Sequence, residues 1–356
     1  MPGNPLAADL NHVLNYTRHL WDELRGSRIF ITGGTGFFGC WLLESFIWAN
    51  DQLNLDARIA ILSRSPDSFR MKASHLFGHK TVSVIEGDVR TFDFPNGEFT
   101  HIIHAATEAS AKLNDKNPLL MLDTIVEGTR HTLDFAVACK AKKFLLTSSG
   151  AVYGKQPSDM THISEDYIGA PDPLARVSSY GEGKRVAEHL CALYANSSLE
   201  TKIARCFAFV GPYLPLNIHF AIGNFIRDAI GGGPIIIKGD GTPHRSYLYA
   251  ADLAIWLWTI LLRGQSCRPY NVGSEESLSI MEVAECVSKG FRSKVQIERR
   301  GIPNLQRPVE RYVPSVERAK FELELRPLVN LQSSIDRTIV WAASQHYGEP
   351  RCQKSE

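Results

Sequence analysis

The sequence predicts an α/β protein: a doubly wound parallel sheet with helices on both faces, joined to a smaller mixed α/β lobe. Three observations carry that reading. Strand-like apolar runs alternate with helical segments from Arg28 to Ala208, the rhythm that builds parallel strands with crossover helices. A glycine-rich break, I-F-I-T-G-G-T-G-F-F-G from Ile29 to Gly39, separates the first strand from the first helix of that series. From Ile218 the units shorten and are broken by glycine and proline, as in Gly231 to Pro234 and Gly239 to Pro243.

Taken in order, Leu6, Leu10, Val13, Leu14, Leu20, Trp21 and Leu24 recur at helical spacing behind an Asn4-Pro5 start. They predict a helical extension over 1–26 that packs on the main body. The glycine stretch reads as strand, turn and helix. Gly33, Gly36 and Gly39 have the spacing G-x-x-G-x-x-G; side chains there would block the turn, the approach of a pyrophosphate, or the packing of helix on strand. The segment is therefore read as a dinucleotide site in a Rossmann-type domain over 27–212.

Further strands are expected at Arg58 to Leu62, Val82 to Ile85, His101 to Ala106, Lys143 to Thr147 and Lys202 to Ala208, with helices at Pro118 to Lys140 and Ser178 to Ala195. Ligands in such a sheet bind beyond the carboxyl ends of the strands. A lobe over 213–348, mainly for substrate, is expected to hold helices at Ile222 to Ile230, Ile280 to Lys289, Ser315 to Glu322 and Leu331 to His346, and a strand at Ile235 to Lys238. A strand near 269–272 returns to the main sheet, and 349–356 reads as a disordered tail.

Composition bounds the function. The 356 residues carry 39 Lys+Arg against 38 Asp+Glu, so nothing electrostatic favours nucleic acid or a membrane surface. No apolar run reaches the ~18 residues of a membrane span. Seven cysteines are scattered without C-x-x-C pairs or a histidine cluster; the expectation is a cytoplasmic protein with no metal.

The chemistry-bearing residues lie further on. T-S-S-G-A-V-Y-G, Thr147 to Gly154, ends a strand, and Tyr180 and Lys184 follow in Y-G-E-G-K. At i and i+4 on a helix the pair shares a face. A phenol of pKa near ~10 is a poor base at neutral pH, and a nearby ammonium favours the phenolate. With Ser149 to hydrogen-bond the same substrate oxygen, this is an alcohol-to-ketone site, provided a nicotinamide exchanges hydride.

These motifs, together with G-D-V at Gly87 to Val89 and H-A-A at His104 to Ala106, resemble the extended short-chain dehydrogenase/reductase family. The resemblance covers about Arg28 to Trp341 and is strongest to its nucleotide-sugar epimerases, dehydratases and decarboxylases. It implies Ser149, Tyr180 and Lys184 as catalytic residues. It implies cofactor contacts at Gly33, Thr35, Gly36, Phe37, Phe38, Gly39, Ser63, Arg64, Asp88, Val89, Ala105, Ala106, Tyr180 and Lys184. It places a nucleotide-diphosphate sugar on Asn224, Arg245 and Arg307, with Glu108 and Ser149 toward the sugar, and it implies a homodimer through Pro118 to Lys140 and Ser178 to Ala195.

Departures from the family pattern narrow the reaction. Dehydratases and decarboxylases usually carry acidic residues where this chain has Gly150 and Ala151. Elimination would need an acid from elsewhere, Glu108 being nearest by motif position. Ser63 and Arg64 stand where an acidic residue often binds ribose, so NADP is favoured over NAD. Ile125 and Ala208 replace two asparagines common in the family. Around Y-G-E-G-K-R-V-A-E and N-F-I-R-D-A-I the segments look most like UDP-glucuronate decarboxylases, yet function is argued from the site. The expectation is a nucleotide-sugar epimerase or 4-ketoreductase working at a ring carbon, carbon 4 being favoured. The alternatives are a 4,6-dehydratase or UDP-glucuronate decarboxylase with a displaced acid and, outside enzymes, a dinucleotide-binding regulator.

Overall fold

The structure, a computed structural model, describes residues 4–107, 111–218, 220–304, 306 and 308–347. Glu108, Arg307 and the expected tail at 349–356 lie outside the described residues.

Six strands form in chain order: β1 (Arg28–Thr32), β2 (Arg58–Ser63), β3 (Val82–Glu86), β4 (His101–His104), β5 (Lys143–Ser149) and β6 (Glu200–Cys206). With Pro269–Val272 they make a seven-stranded sheet whose edges are β3 and the Pro269–Val272 strand, with β1 and β4 paired at its centre. Every pairing is parallel, so all carboxyl ends meet one edge. The strands are apolar on both faces, as a sheet covered on both sides requires.

One face is covered by α1 (Ala7–Thr17), α2 (Phe37–Leu53) and the Ala250–Arg263 helix, which share a core with Ile29, Ile31, Ile59 and Leu145. The other carries the Pro118–Ala138 and Ser179–Tyr194 helices over Phe30, Ile102, Phe144 and Leu146. A third core gathers Ile222, Phe225, Ile235, Val283 and Ile335 from the later part of the chain.

Three expectations need correction. The N-terminal helix stops at Thr17 and the chain continues as a 3-10 segment, Arg18–Leu24. The strand at β4 ends at His104, before Ala105 and Ala106, because the chain turns there toward the glycine loop. β6 ends at Cys206; Phe209–Val210 pairs instead with Leu248–Tyr249, which draws the chain away from the main sheet at Phe207. A whole helix, Ala250–Arg263, escaped the sequence reading.

Candidate active site

The parallel register places the ends of β1, β2, β4 and β5 side by side. After β1, Gly33 has φ +72, and a Cβ there would stand 2.5 Å from the Ala105 carbonyl carbon. That conformation and that closeness both demand glycine. A Cβ on Gly39 would stand 2.3 Å from the Gly34 carbonyl carbon, so the first turn of α2 can pack on the loop only without a side chain. Gly36 caps α2, and its own Cβ would touch nothing nearer than the Gly33 carbonyl at 3.4 Å. The open side of the turn is free to take a pyrophosphate at the helix start.

Gly33, Thr35, Gly36, Ser63, Arg64, Asp88, Val89, Ala105 and Ala106 line one cavity of about 310 Å³. Nine of the expected cofactor residues are thus brought together, and the cradle fits a dinucleotide. Phe37, Phe38 and Gly39 lie on the first turn of α2, outside that lining. Phe38 packs edge-on against Phe209. Asp88 is held by Arg90, which donates from Nε at 2.9 Å and Nη2 at 3.0 Å, and this ion pair keeps the carboxyl below the usual range. Arg90 also lines the cavity, and Lys72 Nζ donates to the Thr35 carbonyl at 2.8 Å; neither was foreseen.

Ser149 is the last residue of β5 and caps the 3-10 turn Gly150–Tyr153, its Oγ accepting from Ala151 N at 3.2 Å. Tyr180 starts the Ser179–Tyr194 helix, where its N–H donates to Asn114 Oδ1 at 3.1 Å. One turn on, Lys184 is buried, and its Nζ donates to Thr107 Oγ1 at 2.9 Å and the Thr147 carbonyl at 2.7 Å. Nζ lies 5.9 Å from the Tyr180 ring centroid.

Burial dominates the electrostatics of the pair. Burial pushes the Tyr180 phenol up to about 12, with the Ser149 hydroxyl working against it. Burial also pushes Lys184 down to about 8. Desolvation is the largest cause for both groups, and it favours the neutral phenol and the neutral amine.

One more residue stands at Ser149. Tyr312 OH is 3.4 Å from Ser149 Oγ, and its ring packs at a tilt of 36° against Phe207 with centroids 4.7 Å apart. Tyr312 comes from the two-residue strand Arg311–Tyr312, which pairs with His244–Arg245. That pairing brings the Arg245 guanidinium 6.0 Å from the Tyr312 ring. Arg245 itself donates to Glu310 Oε1 at 2.6 Å. Asn224 lies on the Ala221–Ile230 helix and accepts from Arg227 Nη1 at 3.0 Å; no described contact joins it to the group. Ile125, standing where the family often has asparagine, is buried against Gly183 in an apolar contact. Nothing in local sequence pattern marks Tyr312, Phe207 or Thr107: the fold alone brings Tyr312 to Ser149, Phe207 to Tyr312 and Thr107 to Lys184.

A glycine cradle at the switch of a parallel sheet, beside a Ser, Tyr and Lys cluster, defines a dinucleotide-binding α/β protein. The NAD dependent epimerase/dehydratase family model matches residues 29–273, and the chain belongs to that family. UDP-glucuronic acid decarboxylase 1 of Danio rerio is 30% identical over 316 residues, 88% of this chain and 72% of the relative. The decarboxylase 1 of Arabidopsis thaliana is 31% identical over 295 residues, 82% of this chain; the chain spans only 64% of that relative's length. Among solved structures, UDP-glucuronic acid 4-epimerase from Bacillus cereus, in complex with UDP-glucuronic acid and NAD, has TM-score 0.74 at 20% identity over 90% of this chain and 100% of its own. UDP-glucose 4-epimerase from Thermotoga maritima has TM-score 0.76 at 18% identity over 90% and 99%. These structures are likenesses of fold. Among the described residues no helix is long and apolar enough to cross a membrane.

Proposed function

We infer that this chain is a nucleotide-sugar epimerase or 4-ketoreductase. The observation that carries the reading is the meeting of Ser149, Tyr180 and Lys184 beside the glycine cradle, with Gly150 and Ala151 as the following residues. Neither of those side chains can move a proton, which removes the local acid that elimination or decarboxylation would use.

A dinucleotide bound on Gly33, Thr35 and Gly36 supplies hydride exchange. Tyr180 holds the proton that passes to or from the sugar oxygen. Ser149 orients that oxygen, and Lys184, fixed by Thr107 and the Thr147 carbonyl, supplies positive charge one turn from the phenol. Arg245 takes a phosphate of the nucleotide, to which its forked geometry is suited; Asn224, Arg307 and Glu108 are assigned to the substrate by motif alone.

NADP is favoured over NAD because Arg64 and Arg90 line the adenosine end while Ser63 stands where an acidic residue would repel a phosphate. The family resemblance supports a homodimer through the Pro118–Ala138 and Ser179–Tyr194 helices, and six free cysteines among the described residues suit the cytoplasm. A second reading, decarboxylation, is favoured by the 30% and 31% identity to decarboxylases and would draw its acid from outside positions 150 and 151.

The test offers wild type and Tyr180→Phe a panel of UDP-, dTDP-, GDP- and CDP-sugars, 4-keto forms included, with NAD or NADP, and reads products by mass and NMR. An unchanged mass with inverted configuration, or a gain of two hydrogens, is expected, falling about 10²- to 10⁴-fold in the variant. Release of carbon dioxide establishes the second reading. Cofactor binding without turnover of any sugar, in both proteins, defeats the enzymatic reading.

A further inference from the structure

We propose that Tyr312 is a positioning residue that acts through Ser149, donating to its Oγ so that the serine's own proton is committed to the reacting oxygens of Tyr180 and the substrate. The proposal rests on the reading of Ser149 and Tyr180 as the reacting pair.

The argument is one of donors and lone pairs. A serine hydroxyl has one proton to give and two lone pairs to fill. Ala151 N–H occupies one lone pair at 3.2 Å, and Tyr312 OH lies at 3.4 Å, placed to occupy the other. With both lone pairs taken, Ser149 can only donate. Burial pushes the Tyr312 phenol up and keeps it protonated; a phenol is also a better donor and a poorer acceptor than an aliphatic hydroxyl. Hydrogen bonds in such a chain polarise one another, so Tyr312 makes Ser149 a stronger donor toward a phenolate or alkoxide.

The surroundings hold Tyr312 in that place. Its ring packs against Phe207, and its strand is paired to His244–Arg245. Gly150 makes room for both rings, since a Cβ there would stand 2.6 Å from Phe207 Cζ and 2.8 Å from Tyr312 OH. The missing side chain at 150, which disfavours elimination, thus also admits the phenol that directs Ser149.

The experiment titrates the 356-residue chain, saturated with whichever of NADP and NAD it binds more tightly, carrying tyrosine labelled with ¹³C at Cζ. NMR follows the phenols across the alkaline range, with Tyr180→Phe identifying the Tyr180 signal. Tyr312→Phe keeps the ring on Phe207 and removes only the hydroxyl. The proton affinity of Tyr180 is expected to rise about threefold or more in that variant, because Ser149 becomes a weaker donor to the phenolate. Gly150→Ala, which pushes the same hydroxyl off Ser149, is expected to reproduce the rise. In a Ser149→Ala background the Tyr312→Phe change should have no further effect. A Tyr180 titration in Tyr312→Phe that superimposes on wild type, or an equal rise in the Ser149→Ala background, overturns the proposal. Because this readout needs no turnover, failure of the sugar panel would defeat the functional reading while leaving the proposal to stand or fall on the titration.

Discussion

Arg245 carries a charge that is already answered. Glu310 Oε1 sits 2.6 Å from its Nη2, and Glu310 is more than half exposed. A phosphate arriving at Arg245 must therefore compete with a carboxylate, and an exposed ion pair of this kind is worth at most about 1 kcal/mol. Glu310→Gln is expected to tighten UDP binding, by about fivefold at most, with Arg245→Met abolishing the gain. Calorimetric titration with UDP checks this; equal or weaker binding in Glu310→Gln would remove Arg245 from the phosphate site. At this scale the sequence was most informative where spacing encodes geometry. Tyr180 and Lys184 share a helix face, and Ser149 ends a strand, so their meeting could be foreseen. Tyr312 lies 163 residues from Ser149 in sequence and is placed by a two-residue strand, which no periodicity can signal. The charge states were also hidden, because burial of Tyr180 and Lys184 sets them and burial is a property of the whole fold.

At the level of elements, the sheet was legible because parallel strands are short apolar runs between helices, and the glycine turn because its spacing has a steric cause. The Ala250–Arg263 helix was missed for the opposite reason. Every residue from Ala250 to Leu262 is buried, so the segment reads as a nearly continuous apolar run without the exposed polar face that marks a surface helix. It packs on the sheet and against α2, with Trp258 Nε1 donating to Ser45 Oγ at 2.9 Å. The glycine turn allows the sharper experiment. Gly33→Ala would set a Cβ against the Ala105 backbone, which has no flexible end to yield, and would hold a non-glycine residue at φ +72. The expected cost is about 2–4 kcal/mol of stability, summing overpacking and backbone strain, together with loss of dinucleotide affinity. Gly36→Ala, with only a 3.4 Å contact to absorb, should leave stability within about 1 kcal/mol while still weakening the cofactor. Thermal unfolding and fluorescence titration separate the two; equal stabilities for both variants would contradict the turn as described.

Across the whole molecule, β4 lies inside the sheet between β1 and β5, and it is bracketed by two buried histidines. His104 is hydrogen-bonded to Thr32 Oγ1 at 2.8 Å and Thr129 Oγ1 at 3.1 Å; burial, aided by the Lys184 charge, pushes it down to about 3. His101 is pushed down to about 4, again chiefly by burial, with Glu23 opposing. Both are neutral in the folded protein at pH values where the unfolded chain, titrating near 6.5, takes up protons. The unfolded state therefore binds more protons between those limits, and stability rises with pH there. The contribution is complete above the unfolded value and is lost as pH falls from 6.5 toward 4 and 3. Each such proton costs the fold about 1.4 kcal/mol per pH unit. Because the two histidines sit in the sheet that joins both helical layers, the loss is expected to appear as cooperative unfolding of the whole chain. The midpoint of thermal unfolding should be flat just above neutrality and should drop steeply below pH 6.5. His104→Gln should lower the midpoint at neutral pH and flatten the acid slope. An acid slope identical to wild type would assign acid sensitivity to the carboxylates instead.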